Sequence, residues 1–167
     1  MTELDNSMKL SNLLSGETEC TMDQFRMVYV PGGIGQLWDV ARSNAVSEVI
    51  SGLYEDQRAV IGTVGHGLCA LLHVKLRDGH YLLEGKTVTG FTDEEEKESA
   101  TMENVPMSLE EQANGIGAQF VHEGAWGHCV QCCDRIITAQ NQKSAQEVAE
   151  KMCSSHQAKQ TSRAVNS

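Results

Sequence analysis

The stretch Ala59-Val60-Ile61-Gly62-Thr63-Val64-Gly65-His66-Gly67-Leu68-Cys69-Ala70-Leu71-Leu72 decides the fold. Residues 59–64 are a short apolar run of the kind that forms a buried strand, and residues 68–72 have helical character. Only the sharp turn Gly65-His66-Gly67 separates them. A strand passing into a helix through such a turn lifts the residue at its tip to the top of a sheet, and here that residue is Gly65.

The pattern repeats outward from this turn. Met27-Val28-Tyr29-Val30 is a second apolar run, and it stops at Pro31-Gly32-Gly33. From Asn44 onward, Val46, Val49, Ile50, Leu53 and Tyr54 recur at helical spacing, which predicts an amphipathic helix. Residues 82–90 enclose Glu84-Gly85-Lys86 between apolar segments and read as strand, turn and strand. Ser108 with Glu111 makes a capping box, Met107 is placed as a staple, and a helix over 109–114 then ends at Gly115 and Gly117. Residues 119–121, 129–132 and 135–138 are short strand candidates. Ser144 with Glu147 opens a last helix carrying Ala145, Val148, Ala149 and Met152 on one face. Strands alternating with helices predict a single α/β domain over residues 1–153 with a mainly parallel sheet. The polar stretch 154–167 is expected to be a disordered tail.

Composition narrows the function classes. A chain of 167 residues suffices for one domain with a sizeable core. The formal net charge of −10, with acid concentrated in Asp93-Glu94-Glu95-Glu96, opposes binding to nucleic acid. No apolar run approaches the ~20 residues of a membrane-spanning helix. The opening MTELDNSMKL has no basic segment followed by an apolar one, so no targeting signal is read and a cytoplasmic location is expected. The six cysteines are expected to be free thiols. Cys129 and Cys132 have CxxC spacing, but no second CxxC or HxxxH pair completes a zinc site, so no metal is expected and residues 129–133 read as buried thiols on or beside a strand.

In an open α/β sheet, ligands bind beyond the carboxyl ends of the strands, which points to the turns at 31–35 and 65–67 facing each other. Backbone N–H groups in glycine-rich turns can hold an oxyanion or a phosphate. The dinucleotide reading of Gly33-x-Gly35 fails because GxGxxG is not completed. His66, next to the tip of the turn, could orient or deprotonate a nucleophile there, although an isolated histidine is more often structural.

Four segments carry a resemblance. Pro31-Gly32-Gly33-Ile34-Gly35-Gln36-Leu37-Trp38-Asp39 is similar to the PGGHGxMWD loop of the glyoxalase III and heat-inducible chaperone branch of the ThiJ/PfpI superfamily. Val64-Gly65-His66-Gly67 resembles its VCHGP elbow, residues 83–96 resemble its (V/L)xGKxVTGFTxxEE stretch, and Ile137-Thr138-Ala139-Gln140-Asn141 resembles its ITGQNP motif. The order and approximate spacing match from Lys9 to Met152.

This resemblance implies a flavodoxin-like three-layer sandwich, usually dimeric, with a triad of cysteine, adjacent histidine and acid. It implies conversion of a 2-oxoaldehyde, methylglyoxal, to D-lactate without glutathione or another cofactor. Deglycase or holding-chaperone roles are also attached to the branch. Carried over, the histidine is His66, the acid is Glu96, the oxyanion donors are the N–H groups of Gly33 and His66, and Ile34 and Gly67 line the substrate region. Three departures matter. Gly65 stands where the family has its cysteine, so the covalent step is expected to be lost. Ile34 replaces a common histidine. The strands and helix that open the family fold, with a glutamate that bonds the cysteine, are expected to be lacking. Gly65→Cys is therefore expected to gain activity only with that segment restored. Cys69, about 6 Å along the next helix, is expected to be a core thiol rather than a substitute nucleophile.

Overall fold

The structure is a computed structural model that describes residues 7–165. Its centre is a four-stranded sheet in the order β1 (Met27–Val30), β2 (Val60–Val64), β6 (Ile136–Ala139) and β5 (Val130–Cys133). β1 and β6 both run parallel to β2, while β5 is an antiparallel edge strand on β6. A separate parallel pair joins β3 (Thr87–Val88) to β4 (Gln119–Phe120).

Alternation along the central strands creates two cores. Val60, Val64, Ile137 and Ala139 turn to one face and pack against Val148 and Met152 of α5 (Ala145–Val165). Ile61 and Ile136 turn to the other, where they meet Ile50 and Tyr54 of α2 (Asn44–Glu55) and the fully buried Leu68, Leu71 and Leu72. The result is a three-layer α/β sandwich with a mainly parallel sheet. Ser43 caps α2 by accepting from the Val46 N–H, and Leu13 of α1 (Leu10–Ser15) joins Val49 and Leu53 in a smaller cluster outside it.

Residues 68–72 follow the elbow as a tight 3-10 helix, Gly65–Leu71, with every residue buried. The helix expected at 109–114 is α4 (Leu109–Gly115), where Ser108 accepts from the Glu111 N–H at 3.1 Å and Met107 packs on the main core. Residues 82–90 differ from expectation. Only Thr87–Val88 is a strand, and the fully buried Leu82 and Leu83 lie in a turn, with the Leu82 N–H donating to the Val74 carbonyl at 2.9 Å. Their apolar character serves core filling rather than sheet pairing.

Among the described residues β1 is the other edge of the sheet, opposite β5. Val28 and Val30 pack inward, whereas Met27 and Tyr29 are 40% and 45% exposed on the outer face. Helix α5 continues to Val165, so residues 154–165 of the expected tail are helical; Gln, Lys and Ala favour helix beyond Met152, which packs in the core. Residues 1–6, most of the stretch read for targeting signals, and 166–167 lie outside the described residues. Among the described residues no helix is long and apolar enough to cross a membrane.

Candidate active site

The parallel strands β1, β2 and β6 end on the same side of the sheet, and the loops after them meet there. The two glycine turns face each other and interlock. A Cβ on Gly32 would come within 2.8 Å of the Val64 carbonyl oxygen, and one on Gly67 would collide with the Val30 carbonyl. Glycine at both positions permits this backbone approach. Gly67 is thus a packing position, while Gly33 is exposed, with φ +149°.

At the tip of the elbow Gly65 has φ +54°, the left-handed conformation that disfavours side chains. Space is not the obstacle. A Cβ added there would meet its nearest neighbours, Gln140 O and Phe91 Cδ2, at 3.7 Å, an ordinary contact distance. The elbow therefore keeps the strained geometry and the room for a side chain, and presents none.

His66 follows directly and is only 8% exposed. Its Nε2 lies 2.7 Å from Oε1 of Glu96, thirty residues away in sequence. The Phe91 ring stacks on the imidazole with centroids 4.4 Å apart, and Trp126 meets Phe91 edge-on at 5.6 Å. Glu96 lies in α3 (Asp93–Glu98), an acidic helix whose first turn places negative charge at the favourable end of the helix dipole. Its second oxygen accepts from the Thr101 hydroxyl. The pair can hold one tautomer of the imidazole and move a proton, and the adjoining Gly65 offers it no nucleophile.

Next to it stands a residue that sequence reading missed. Glu95 is fully buried, and both of its oxygens are occupied. Oε1 accepts from Trp126 N at 3.0 Å, Gln140 Nε2 at 3.1 Å and Asn141 Nδ2 at 2.6 Å. Oε2 accepts from the backbone and hydroxyl of Thr92 at 2.8 and 3.2 Å, while Thr92 in turn caps the Glu95 N–H. Glu95 thereby ties the start of α3 to the end of β6 and to the 124–127 loop. The signal for it was present, since Thr92-x-x-Glu95 is a capping-box spacing. Phe91 and Trp126 carried no local signal.

The remaining expected residues fall as follows. Ile34 is half-buried against the main core and forms an apolar wall on the first loop. Cys69 is fully buried, and its Sγ lies 3.5 Å from the Gln36 carbonyl. Burial, reinforced by the charge of Asp39, pushes its thiol pKa up to about 12, so it stays protonated. Of the CxxC cysteines, Cys129 is buried as expected, but Cys132 is exposed and Cys133 intermediate because β5 is an edge strand. Among the described residues no group of three or more metal-binding side chains assembles. A cleft of about 340 Å³ lined by Arg42, Asn44, Glu48 and His73 shares no residue with the His66 site.

No family model matches the chain. Curated relatives do. It is 26% identical over 78% of its length to the glutathione-independent glyoxalase HSP31 of Saccharomyces cerevisiae, and 25% identical over 77% to glyoxalase 3 of Candida albicans. It spans 57% and 56% of those two proteins, a little over half their length. Among solved structures, the rapid encystment protein of 24 kDa from Francisella tularensis superposes with TM-score 0.82 at 29% identity, covering 93% of this chain and 68% of that one. A ThiJ/PfpI domain protein from Brachyspira murdochii, 18% identical, shares the fold with TM-score 0.61 over 84% of this chain and 65% of its own. Motif order, sandwich architecture and these likenesses converge: the chain is similar to glyoxalase III proteins and shares the fold of ThiJ/PfpI domain proteins.

Proposed function

We propose that this chain keeps the scaffold of a glyoxalase III site, with His66 and Glu96 as its proton-handling pair, but does not itself carry out the covalent step on a 2-oxoaldehyde. The observation that carries this reading is Gly65: an elbow with φ +54°, room for a side chain, and no atom to attack a carbonyl carbon. Cys69 does not substitute, because its sulfur is buried against the Gln36 carbonyl and its proton is held up to about pH 12. Thiolate, rather than thiol, is the nucleophile. In this reading the N–H groups of Gly33 and His66 hold the carbonyl oxygen, Ile34 borders the ligand while Gly67 lets the two turns approach, and neither metal nor cofactor takes part. The protein acts in the cytoplasm as a homodimer, away from nucleic acid and membrane.

The test is D-lactate formation from methylglyoxal by the purified chain without added thiol. The expected rate equals that of buffer, and brisk D-lactate release would overturn the reading. Intact-mass analysis after treatment with an electrophile checks the Cys69 argument, since a modified Cys69 under native conditions contradicts it.

The β1 edge favours a second role, holding unfolded clients. Met27 and Tyr29 are exposed on a strand that has no second partner strand among the described residues, and such an edge can take up an extended apolar segment. Suppressed aggregation of a model client at stoichiometric ratio is the expected result. No effect at excess chain removes this role.

A further inference from the structure

Gly65 leaves a notch that is bordered by the same aromatic ring as the imidazole. The Phe91 atom 3.7 Å from the position of a Gly65 Cβ belongs to the ring that stacks on His66 at 4.4 Å. The engagement of Nε2 with Glu96 fixes the tautomer, placing the proton on Nε2 and the basic lone pair on Nδ1, for which no hydrogen bond is found among the described residues. The site therefore retains a base and room for a Cβ at the elbow, and lacks a sulfur.

We propose that a small diffusible thiol supplies that sulfur, so that the His66 site converts the hemithioacetal of a 2-oxoaldehyde into a 2-hydroxyacyl thioester. This rests on the glyoxalase III-like reading of the site and adds a co-substrate class to it. The atoms balance without an outside oxidant. The thiol sulfur bonds to the aldehyde carbon, and its proton goes to the aldehyde oxygen. His66 Nδ1 takes the hydrogen on that carbon as a proton, and the electron pair forms an enediolate across to the ketone carbon. The hydroxyl proton on the sulfur-bearing carbon passes to the former ketone oxygen, the oxygen left behind collapses to the thioester carbonyl, and the proton on His66 is delivered to the former ketone carbon. One carbon is oxidised and its neighbour reduced. Water then cleaves the thioester, giving 2-hydroxy acid and regenerating the thiol.

The size of the notch sets the order of thiols. Gly65 is buried and a Cβ there would meet its neighbours at 3.7 Å, so the thiols are expected to rank by size, with hydrosulfide and methanethiol first, 2-mercaptoethanol next and the tripeptide glutathione excluded. This differs from an enzyme that binds a preformed glutathione adduct.

The experiment uses the whole chain with methylglyoxal and each of these four thiols, and measures D- and L-lactate separately after complete thioester hydrolysis. The expected result with methanethiol is about a hundredfold rise over methanethiol without protein, the scale of a positioned acid–base group, in one enantiomer, with none for glutathione. His66→Ala abolishes the gain. Gly65→Ala, which fills the notch with a methyl group, also abolishes it while far-UV circular dichroism is unchanged. The thiol size series requires no variant, so a misfolded mutant does not rescue the proposal. Racemic lactate at the solution rate, equal rates with methanethiol and glutathione, or full activity in folded Gly65→Ala each overturn it. Trp126 fluorescence, read in a Trp38→Phe background during titration with D-lactate, separates the two failures. Binding without thiol-dependent turnover overturns this proposal alone, and no binding overturns the glyoxalase III-like reading as well. Lactate formed at equal rate without any thiol overturns both.

Discussion

The acid arm of the site and its elbow arm lie side by side and are built in opposite ways. On the acid arm, Glu95 accepts from four residues and Glu96 bonds both His66 and Thr101, so the buried carboxyl groups are saturated with partners. On the elbow arm, Gly65 contributes no side chain, and its neighbours sit at ordinary contact distance around it. The difference teaches that the scaffold does not depend on the atom that would do the chemistry. A buried carboxyl group is tolerated only when its oxygens are satisfied, so its network is part of the folding energetics. A side chain at a left-handed tip adds strain instead, and losing it leaves the fold intact.

This contrast breaks most clearly at Glu95. Glu95→Ala strands donors from Thr92, Trp126, Gln140 and Asn141, and is expected to cost about 3 kcal/mol in urea unfolding, the scale of a broken buried charged network. A cost below about 1 kcal/mol, the net worth of a single ordinary hydrogen bond, would mean that the acid arm is not the structural hub inferred here. The substitution should also loosen the 124–127 loop, seen as faster amide exchange at Trp126.

The elbow should respond more mildly. Gly65→Ala meets no clash and bears only the cost of φ +54°, about 1 kcal/mol. Gly32→Ala has an ordinary backbone conformation but pushes a methyl to 2.8 Å from the Val64 carbonyl, so it is expected to destabilise more. If the two ranked the other way in melting temperature, the notion of a roomy elbow beside a tight first loop would fail.

Cys69 sharpens the comparison by pH. Burial raises its thiol pKa to about 12 in the folded chain, so the folded state holds this proton more tightly than the unfolded state does. Its stability contribution is complete below the ordinary thiol value of about 8.5 and is lost as pH rises from there toward 12. The wild-type chain should thus lose stability with alkaline pH more steeply than Cys69→Ala. Parallel slopes would contradict a protonated core thiol. The smallest effect is one of labelling rates: exposed Cys132 and Cys153 should be alkylated before buried Cys69 and Cys129, as peptide mapping at short times would reveal.

Much of this was legible along the chain. The elbow, α2 and α4 follow from hydrophobic spacing and caps, which act within a few residues. His66 and Glu96 were marked by motif resemblance, and the structure brings them to 2.7 Å. Glu95 was passed over because a run of three glutamates looks like a solvated helix start, and only packing decides that Glu94 is exposed while Glu95 is buried. Leu82 and Leu83 misled for a related reason. An apolar pair is equally at home in a strand or in a buried turn, and the choice depends on whether a neighbouring strand is there to pair with it.

The sequence by itself determined that the chain alternates strands and helices, that its first two strands end in glycine turns, and that the tip of the second has no side chain. These are consequences of steric and hydrogen-bonding preferences acting between near neighbours. Only the tertiary structure decided that Phe91 links the empty tip to the imidazole, that Glu95 holds the acid helix in place, and that Cys69 is sealed away. Those outcomes depend on side chains far apart in sequence competing for the same volume and the same donors, a competition settled only when the layers pack.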